Sequence, residues 1–110
     1  MKLPHGDRAV IDRRKLTDYC LSPDHEDGRH KARLFQTTMG VTLDDAHKLI
    51  EALRKAAANG EAVVGKCDRY GQRFVIDFAF TGPAGTAPVR SAWIVAPNGT
   101  VPRLVTCSIL

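Results

Sequence analysis

The chain has 110 residues, 44% of them hydrophobic and 25% charged, which predicts one globular domain spanning residues 1–110 around one hydrophobic core. No apolar run approaches the roughly 18 residues of a membrane helix, and the N-terminus has no signal-peptide core, so we expect a cytoplasmic protein without membrane contact. The net charge of +4 favours an anionic partner, either nucleic acid or an acidic protein.

The N-terminal half begins with an arm and two predicted helices. Residues 1–11 are expected to form an extended arm or hairpin, since they contain a Gly-Asp turn. Asp12 is a suitable N-cap for a short helix over 13–21. After a polar loop, apolar residues at helical spacing predict a second helix over 29–39, which Gly40 ends.

A third helix is the most strongly determined element. Thr42 and Asp45 form the pattern of a capping box, and an apolar stripe continues at helical period until Asn59-Gly60. The stripe consists of Ala46, Leu49, Ile50, Leu53 and Ala57.

After Gly60 the hydrophobic period changes from 3.6 to 2, which indicates strands. Four strands separated by short turns are predicted at residues 61–69, 72–81, 88–96 and 103–109. Short turns join only antiparallel neighbours. The predicted fold is therefore α+β, with three N-terminal helices packed on one face of a four-stranded antiparallel β-meander.

The second strand has one clearly apolar face, which should pack on the helix at 42–59. This face consists of Phe74, Ile76, Phe78 and Phe80. In the third and fourth strands both alternating sets are at least half apolar, so periodicity leaves open which set faces the core.

Cysteines and histidines do not form a metal or disulfide pattern. Cys20, Cys67 and Cys107 are an odd number at wide spacing, and we expect them to be reduced and mostly buried. The histidines form neither an HxH nor an HxxxH pair, so no metal and no other cofactor is predicted.

The segment from His25 to Lys31 is the first candidate for chemistry. It brings His25, Arg29, His30 and Lys31 to a glycine-loosened helix N-terminus, where free N–H groups and the helix dipole favour phosphate. The alternative is a solvated polar loop.

Arginines and a threonine on the strands are the second candidate. Arg90 could clamp a phosphate while Trp93 stacks a base, and Arg73 would add positive charge to the same sheet. The alternative is a core Trp93 beside a solvent-facing Arg90. Thr106 is a candidate site residue if it lies beside Arg90 on the adjacent strand. Otherwise it is an ordinary β-strand residue.

Several of these residues belong to a longer motif. It reads Leu16-x-x-Tyr19-x-Leu21-x-Pro23-x-His25-x-x-Gly28-x-x-Lys31-Ala32-x-x-Phe35, and a strand with Trp93 and the segment Pro102-Arg103-Leu104-Val105-Thr106 follow. The motif resembles an uncharacterised bacterial domain family that occurs alone and at the C-termini of polymorphic and contact-dependent toxins. The order of helices and meander resembles the barnase–EndoU–colicin–RelE-like ribonuclease fold.

The loop departs from the family pattern at two positions. The family has Asn-Pro-x-His-Pro-x-Gly there, whereas Ser22 and Glu26 stand in this chain at the Asn and the second Pro. His25, Gly28 and Lys31 still match the pattern.

The resemblance implies a metal-independent ribonuclease toxin, that is, an endoribonuclease of a toxin–antitoxin or toxin–immunity pair. Its partners would be RNA and a small, acidic antitoxin or immunity protein. The expected catalytic residues are His25, Lys31, Arg90 and Thr106, and the expected substrate-binding residues are His30, Arg29, Arg73 and Trp93. The alternative is a non-catalytic basic module that binds an acidic protein or RNA.

Overall fold

The computed structural model describes all 110 residues and contains two long helices and a four-stranded antiparallel sheet. The elements are α1 (Arg29–Met39), α2 (Ala46–Asn59), β1 (Ala62–Asp68), β2 (Gly71–Gly82), β3 (Gly85–Val95) and β4 (Arg103–Ile109). The strands pair in the order β1-β2-β3-β4, so the predicted meander is confirmed. No helix has the length and apolar character needed to span a bilayer.

The prediction of three N-terminal helices packed on the sheet is wrong. In the predicted range 13–21, the regular element is a five-residue π-helical turn, Leu16–Cys20, which we call the π-turn. The N–H of Leu21 donates to the Leu16 carbonyl five residues earlier, at 2.8 Å. Pro23 follows three residues after Cys20 and disfavours a helical conformation in the residue before it, Ser22. The π-turn is therefore a short connector against α1 and β4 rather than a third helix.

The hydrophobic core lies between the two long helices and one face of the sheet. α2 packs on β2, whereas α1 packs on β3 and β4. The predicted packing of the phenylalanine face is confirmed for Phe74, Ile76 and Phe80, which are buried, while Phe78 is only partly buried. The largest fully buried side chains from the helices are Phe35, Met39, Leu49 and Leu53.

One face of β3 packs in the core. Val89, Ser91 and Trp93 are fully buried, so Arg90 lies on the opposite, helix-free face. The indole Nε1 of Trp93 donates to Ser91 Oγ at 2.8 Å, and Ser91 Oγ donates to the Ile76 carbonyl at 2.8 Å. These bonds satisfy the buried polar atoms of the strand.

The N-terminal arm extends the sheet at β4. It contains a 3₁₀ turn at Gly6–Arg8, after which Val10 forms a parallel bridge with Arg103. The Val10 N–H donates to the Pro102 carbonyl, and the Leu104 N–H donates to the Val10 carbonyl, both at 2.9 Å. The arm therefore leads the chain into the π-turn directly beside β4.

Candidate functional site

A cleft of about 600 Å³ opens where the π-turn and the loop before α1 meet β4. We call it the Thr106 cleft. Its lining is mostly polar and ionisable, and consists of Asp12, Arg14, Lys15, Asp18, Tyr19, His25, Val105 and Thr106.

Lys31 reaches β4 from the first turn of α1. Its Nζ donates to Thr106 Oγ1 at 2.9 Å and lies 5.1 Å from the centroid of the Tyr19 ring. None of the ion pairs in the protein includes Lys31. The ammonium thus has a hydroxyl and an aromatic face as neighbours but no carboxylate, which leaves its charge available to an anion.

A β-bulge directs the cleft end of β4. Trp93 pairs with Leu104 and Ala92 pairs with Thr106, so Val105 is an extra residue on β4. Bulges twist a strand locally and often re-aim side chains beside functional sites. This bulge comes directly before Thr106, the residue that Lys31 contacts.

His25 supports the loop that starts α1. Its Nδ1 accepts the N–H groups of Asp27 at 3.0 Å and Gly28 at 2.9 Å. In the neutral ring the proton therefore lies on Nε2, which is a donor. The ring also packs edge-to-face on Tyr19, with 4.8 Å between centroids. His25 consequently offers the cleft a hydrogen-bond donor rather than a free basic nitrogen.

Two basic residues of the cleft differ in their availability. Arg14 is held by Asp12, whose two carboxylate oxygens accept its Nε at 3.2 Å and its NH2 at 3.0 Å. These hydrogen bonds keep the pKa of Asp12 below its usual value. Lys15 takes part in no ion pair, so Lys15 and Lys31 are the two cations lining or contacting the cleft that have no carboxylate partner.

Two buried cysteines lie beneath Thr106. Cys20 Sγ is 3.5 Å from Thr106 Oγ1, and both Cys20 and Cys107 are fully buried. The neighbouring Cys107 thiol, followed by the Thr106 hydroxyl, lowers the pKa of Cys20 to about 6 despite its burial. The same contact with Cys20, together with burial, raises the pKa of Cys107 well above its usual value. The expectation that all three cysteines are mostly buried is wrong for Cys67, which is exposed on the edge strand β1.

The structure brings together three of the four expected catalytic residues. His25 and Thr106 line the cleft, and Lys31 contacts Thr106. Arg90 is absent from this group, because its Nε and NH2 donate to Asp77 at 2.8 and 2.9 Å on the helix-free face of the sheet. The register pairs Arg90 with Ser108 rather than with Thr106.

The expected substrate-binding residues lie outside the Thr106 cleft. Trp93 is fully buried and offers no face for a base. Arg73 projects from β2 towards Asp68, with 3.9 Å between Nε and the carboxylate. Arg29 lines a separate cavity of about 560 Å³, and His30 is exposed at the start of α1.

Sequence reasoning missed Tyr19, Cys20 and Lys15 as site residues. The spacing of Tyr19 and Cys20 indicates only the apolar side of a short helix. Cys20 contacts Thr106, which lies 86 residues later along the chain, and no local pattern shows such a partner. The available signal was the motif that joins Tyr19 to His25 and Lys31. In the fold these three side chains form one continuous set of contacts.

The fold and cleft define an α+β protein with two helices on an antiparallel meander and, at one edge of the sheet, a lysine without a carboxylate partner. A family model, "Domain of unknown function (DUF6883)", matches residues 2–110, so the chain belongs to that family. No curated protein is a significant match.

A solved structure has a similar fold. It is a chain of a contact-dependent growth inhibition toxin–immunity protein complex from Klebsiella pneumoniae 342, with a TM-score of 0.67 and 21% sequence identity. The match covers 92% of this chain and 99% of that one. At this identity the likeness concerns the fold.

Proposed function

We propose that the protein is an RNA-cleaving toxin domain and that the Thr106 cleft binds the phosphate at which RNA is cut. The observation that carries the proposal is the Lys31 ammonium, which donates to the Thr106 hydroxyl and has no carboxylate partner. Thr106, to which the ammonium donates, lines an open polar cleft, and a phosphate oxygen there would suit the ammonium. The similar fold of a chain in a toxin–immunity complex adds support.

The cleft suits metal-independent cleavage of the RNA backbone. In that reaction the ribose 2′-hydroxyl loses its proton to solvent and its oxygen attacks phosphorus to form a 2′,3′-cyclic phosphate. The bond to the 5′-oxygen breaks, this oxygen takes a proton from solvent, and negative charge accumulates on the phosphoryl oxygens in the transition state. Lys31 and Lys15 would stabilise this charge, and the His25 Nε2–H would donate to a phosphoryl oxygen. Thr106 would hold the substrate through its hydroxyl. The contribution of these residues is electrostatic stabilisation and positioning.

We also propose that a small acidic immunity or antitoxin protein inhibits this domain. The Klebsiella structure is a complex of a toxin with an immunity protein. The free cations Lys15 and Lys31 and the net charge of +4 are complementary to an acidic partner. In the same proposal, the RNA that the domain cleaves is cytoplasmic.

One observation favours the alternative, a module that binds RNA without cutting it. His25 Nδ1 accepts two backbone N–H groups, and Nε2 carries the proton of the neutral ring. The imidazole therefore has no free basic nitrogen that could accept the 2′-hydroxyl proton. Binding alone would use the same cations and the same cleft. Binding of RNA and cleavage of RNA must therefore be measured separately.

The test compares Lys31→Ala with Lys55→Ala in bacteria and with purified protein. Lys55 is an exposed lysine on α2, near Glu51 and away from the cleft, and is the matched control. We expect the wild type and Lys55→Ala to arrest growth and degrade RNA, and Lys31→Ala to cleave roughly a hundredfold more slowly. Harmless expression of the wild type and intact RNA would contradict the proposal. RNA that is bound but uncut would favour the binding module.

A second variant separates the two roles of His25. His25→Asn keeps an acceptor close to the position of Nδ1, so the N–H groups of Asp27 and Gly28 remain bonded, but it removes Nε2. We expect native stability by thermal unfolding and cleavage reduced about tenfold. Full activity of a stable His25→Asn would show that His25 serves the loop alone.

A further inference from the structure

We propose that Cys20 is a positioning residue of the Thr106 cleft, which orients the Thr106 hydroxyl from the core side. The inference rests on the proposed RNA cleavage. The role of this buried thiol is to orient Thr106, since the sulfur itself does not contact the bound phosphate.

The Thr106 hydroxyl has a limited hydrogen-bond capacity. The group has one hydrogen and two lone pairs. Lys31 Nζ, 2.9 Å away, donates to one lone pair. Cys20 Sγ is 3.5 Å from the same oxygen and can accept its hydrogen. With both contacts made, the hydroxyl cannot rotate freely, and its second lone pair is left for a hydrogen-bond donor of the substrate, the ribose 2′-hydroxyl.

Burial excludes a direct role for the sulfur. Cys20 is fully buried, as is its neighbour Cys107, so RNA in the cleft meets Thr106 and not the thiol. Cys20 can act on the substrate only through Thr106. It is thus a positioning residue and not a nucleophile.

The electrostatic surroundings make Cys20 an acceptor at neutral pH. The groups that face it are the Cys107 thiol and Thr106 from β4 and the Lys31 ammonium from α1. Together they lower the pKa of its thiol to about 6, with the Cys107 thiol as the largest cause. A thiolate accepts a stronger hydrogen bond than a thiol does. The hydrogen bond from the Thr106 hydroxyl to Cys20 should therefore become stronger as the pH rises through about 6, and the hydroxyl should rotate less.

The experiment measures RNA cleavage against pH for Cys20→Ala, Cys20→Ser and Cys67→Ser. Cys67 is an exposed, unpaired cysteine on β1, so Cys67→Ser controls for loss of a thiol elsewhere. We expect Cys20→Ala to lower kcat roughly tenfold to a hundredfold with little change in KM, because Lys31 still binds the phosphate while Thr106 is free to rotate. Cys67→Ser should behave as the wild type does.

The serine variant separates orientation from loss of volume. Cys20→Ser keeps an acceptor but does not titrate near neutral pH, so it should recover most of kcat and lose the rise in rate that the wild type shows through about pH 6. Thermal unfolding monitors the fold of each variant, and the thiolate ultraviolet absorbance follows ionisation of Cys20 in the wild type. If Cys20→Ala is poorly folded, the pH profile of Cys20→Ser decides.

The outcomes distinguish this inference from the proposed function. A wild type that cleaves no RNA would overturn both. An active wild type whose Cys20→Ala variant matches Cys67→Ser in rate and pH profile would overturn the positioning role alone. The same holds for a Cys20→Ser variant that keeps the rise through about pH 6.

Discussion

His25 and Gly28 each meet a demand of the backbone at the start of α1. His25 Nδ1 accepts two backbone N–H groups of the loop, so Nε2 is the ring nitrogen left without a partner at the cleft that His25 lines. At Gly28 the backbone passes so close to the π-turn that a Cβ would stand 2.1 Å from the Tyr19 carbonyl oxygen. This close approach sets the distance between Tyr19 and Lys31, and thereby the geometry of the cleft.

Substitution of Gly28 should therefore disturb both stability and site. We expect Gly28→Ala to lower the free energy of unfolding by about 1–3 kcal/mol, because backbone atoms must move to admit the methyl group. Gly99→Ala is the matched control, since a Cβ there meets its nearest atom at 3.5 Å, an ordinary contact. Urea denaturation of both variants measures the effect. Equal stabilities would mean that the loop adapts without cost.

At the scale of elements, alternation along β3 decides which side chains can join the cleft. Val89, Ser91 and Trp93 face the core, so Trp93 completes the core and the intervening Arg90 lies on the helix-free face. Asp77 on the neighbouring strand β2 is paired with Arg90 and accepts two hydrogen bonds from it. Such a pair is a typical cross-strand contact of a sheet.

Arg90→Ala should consequently leave RNA cleavage within about twofold of the wild type, because the guanidinium belongs to the Asp77 pair. The free energy of unfolding should fall only slightly, since the two side chains are 51% and 40% exposed. The hydrogen bonds from Arg90 lower the pKa of Asp77, so this small contribution is present above the usual value of 3.8 and is lost as the pH falls further. Loss of activity in a stable Arg90→Ala would return Arg90 to the site.

At the scale of the whole molecule, the buried cysteines link the cleft to global stability. The pKa of Cys20 is lowered from 9.0 to about 6 on folding. A group with a depressed pKa stabilises the fold above its unfolded pKa, and the contribution is lost as the pH falls through the folded value. Cys107 has a raised pKa, so its contribution to the free energy of unfolding has the opposite sign. This contribution decreases as the pH rises above 9.0.

The free energy of unfolding should therefore contain a component that increases as the pH rises from about 6 to 9. Cys20→Ser should lack this component, whereas Cys67→Ser, which changes an exposed cysteine, should keep it. Urea denaturation at several pH values measures the difference between the two variants. Parallel stability profiles would show that Cys20 has a similar pKa in the folded and unfolded states.

The sequence by itself determined the four strands, α1, α2 and their boundaries to within a few residues, because hydrophobic period and capping residues are local properties. Its motif also singled out His25, Lys31 and Thr106, which the fold brings together at the Thr106 cleft. The π-turn and the core face of β3 were decided only by the tertiary structure, since each depends on packing between distant segments. The same applies to the Cys20–Thr106–Lys31 contacts, which join the π-turn, β4 and α1 across a bulge that no local pattern reveals.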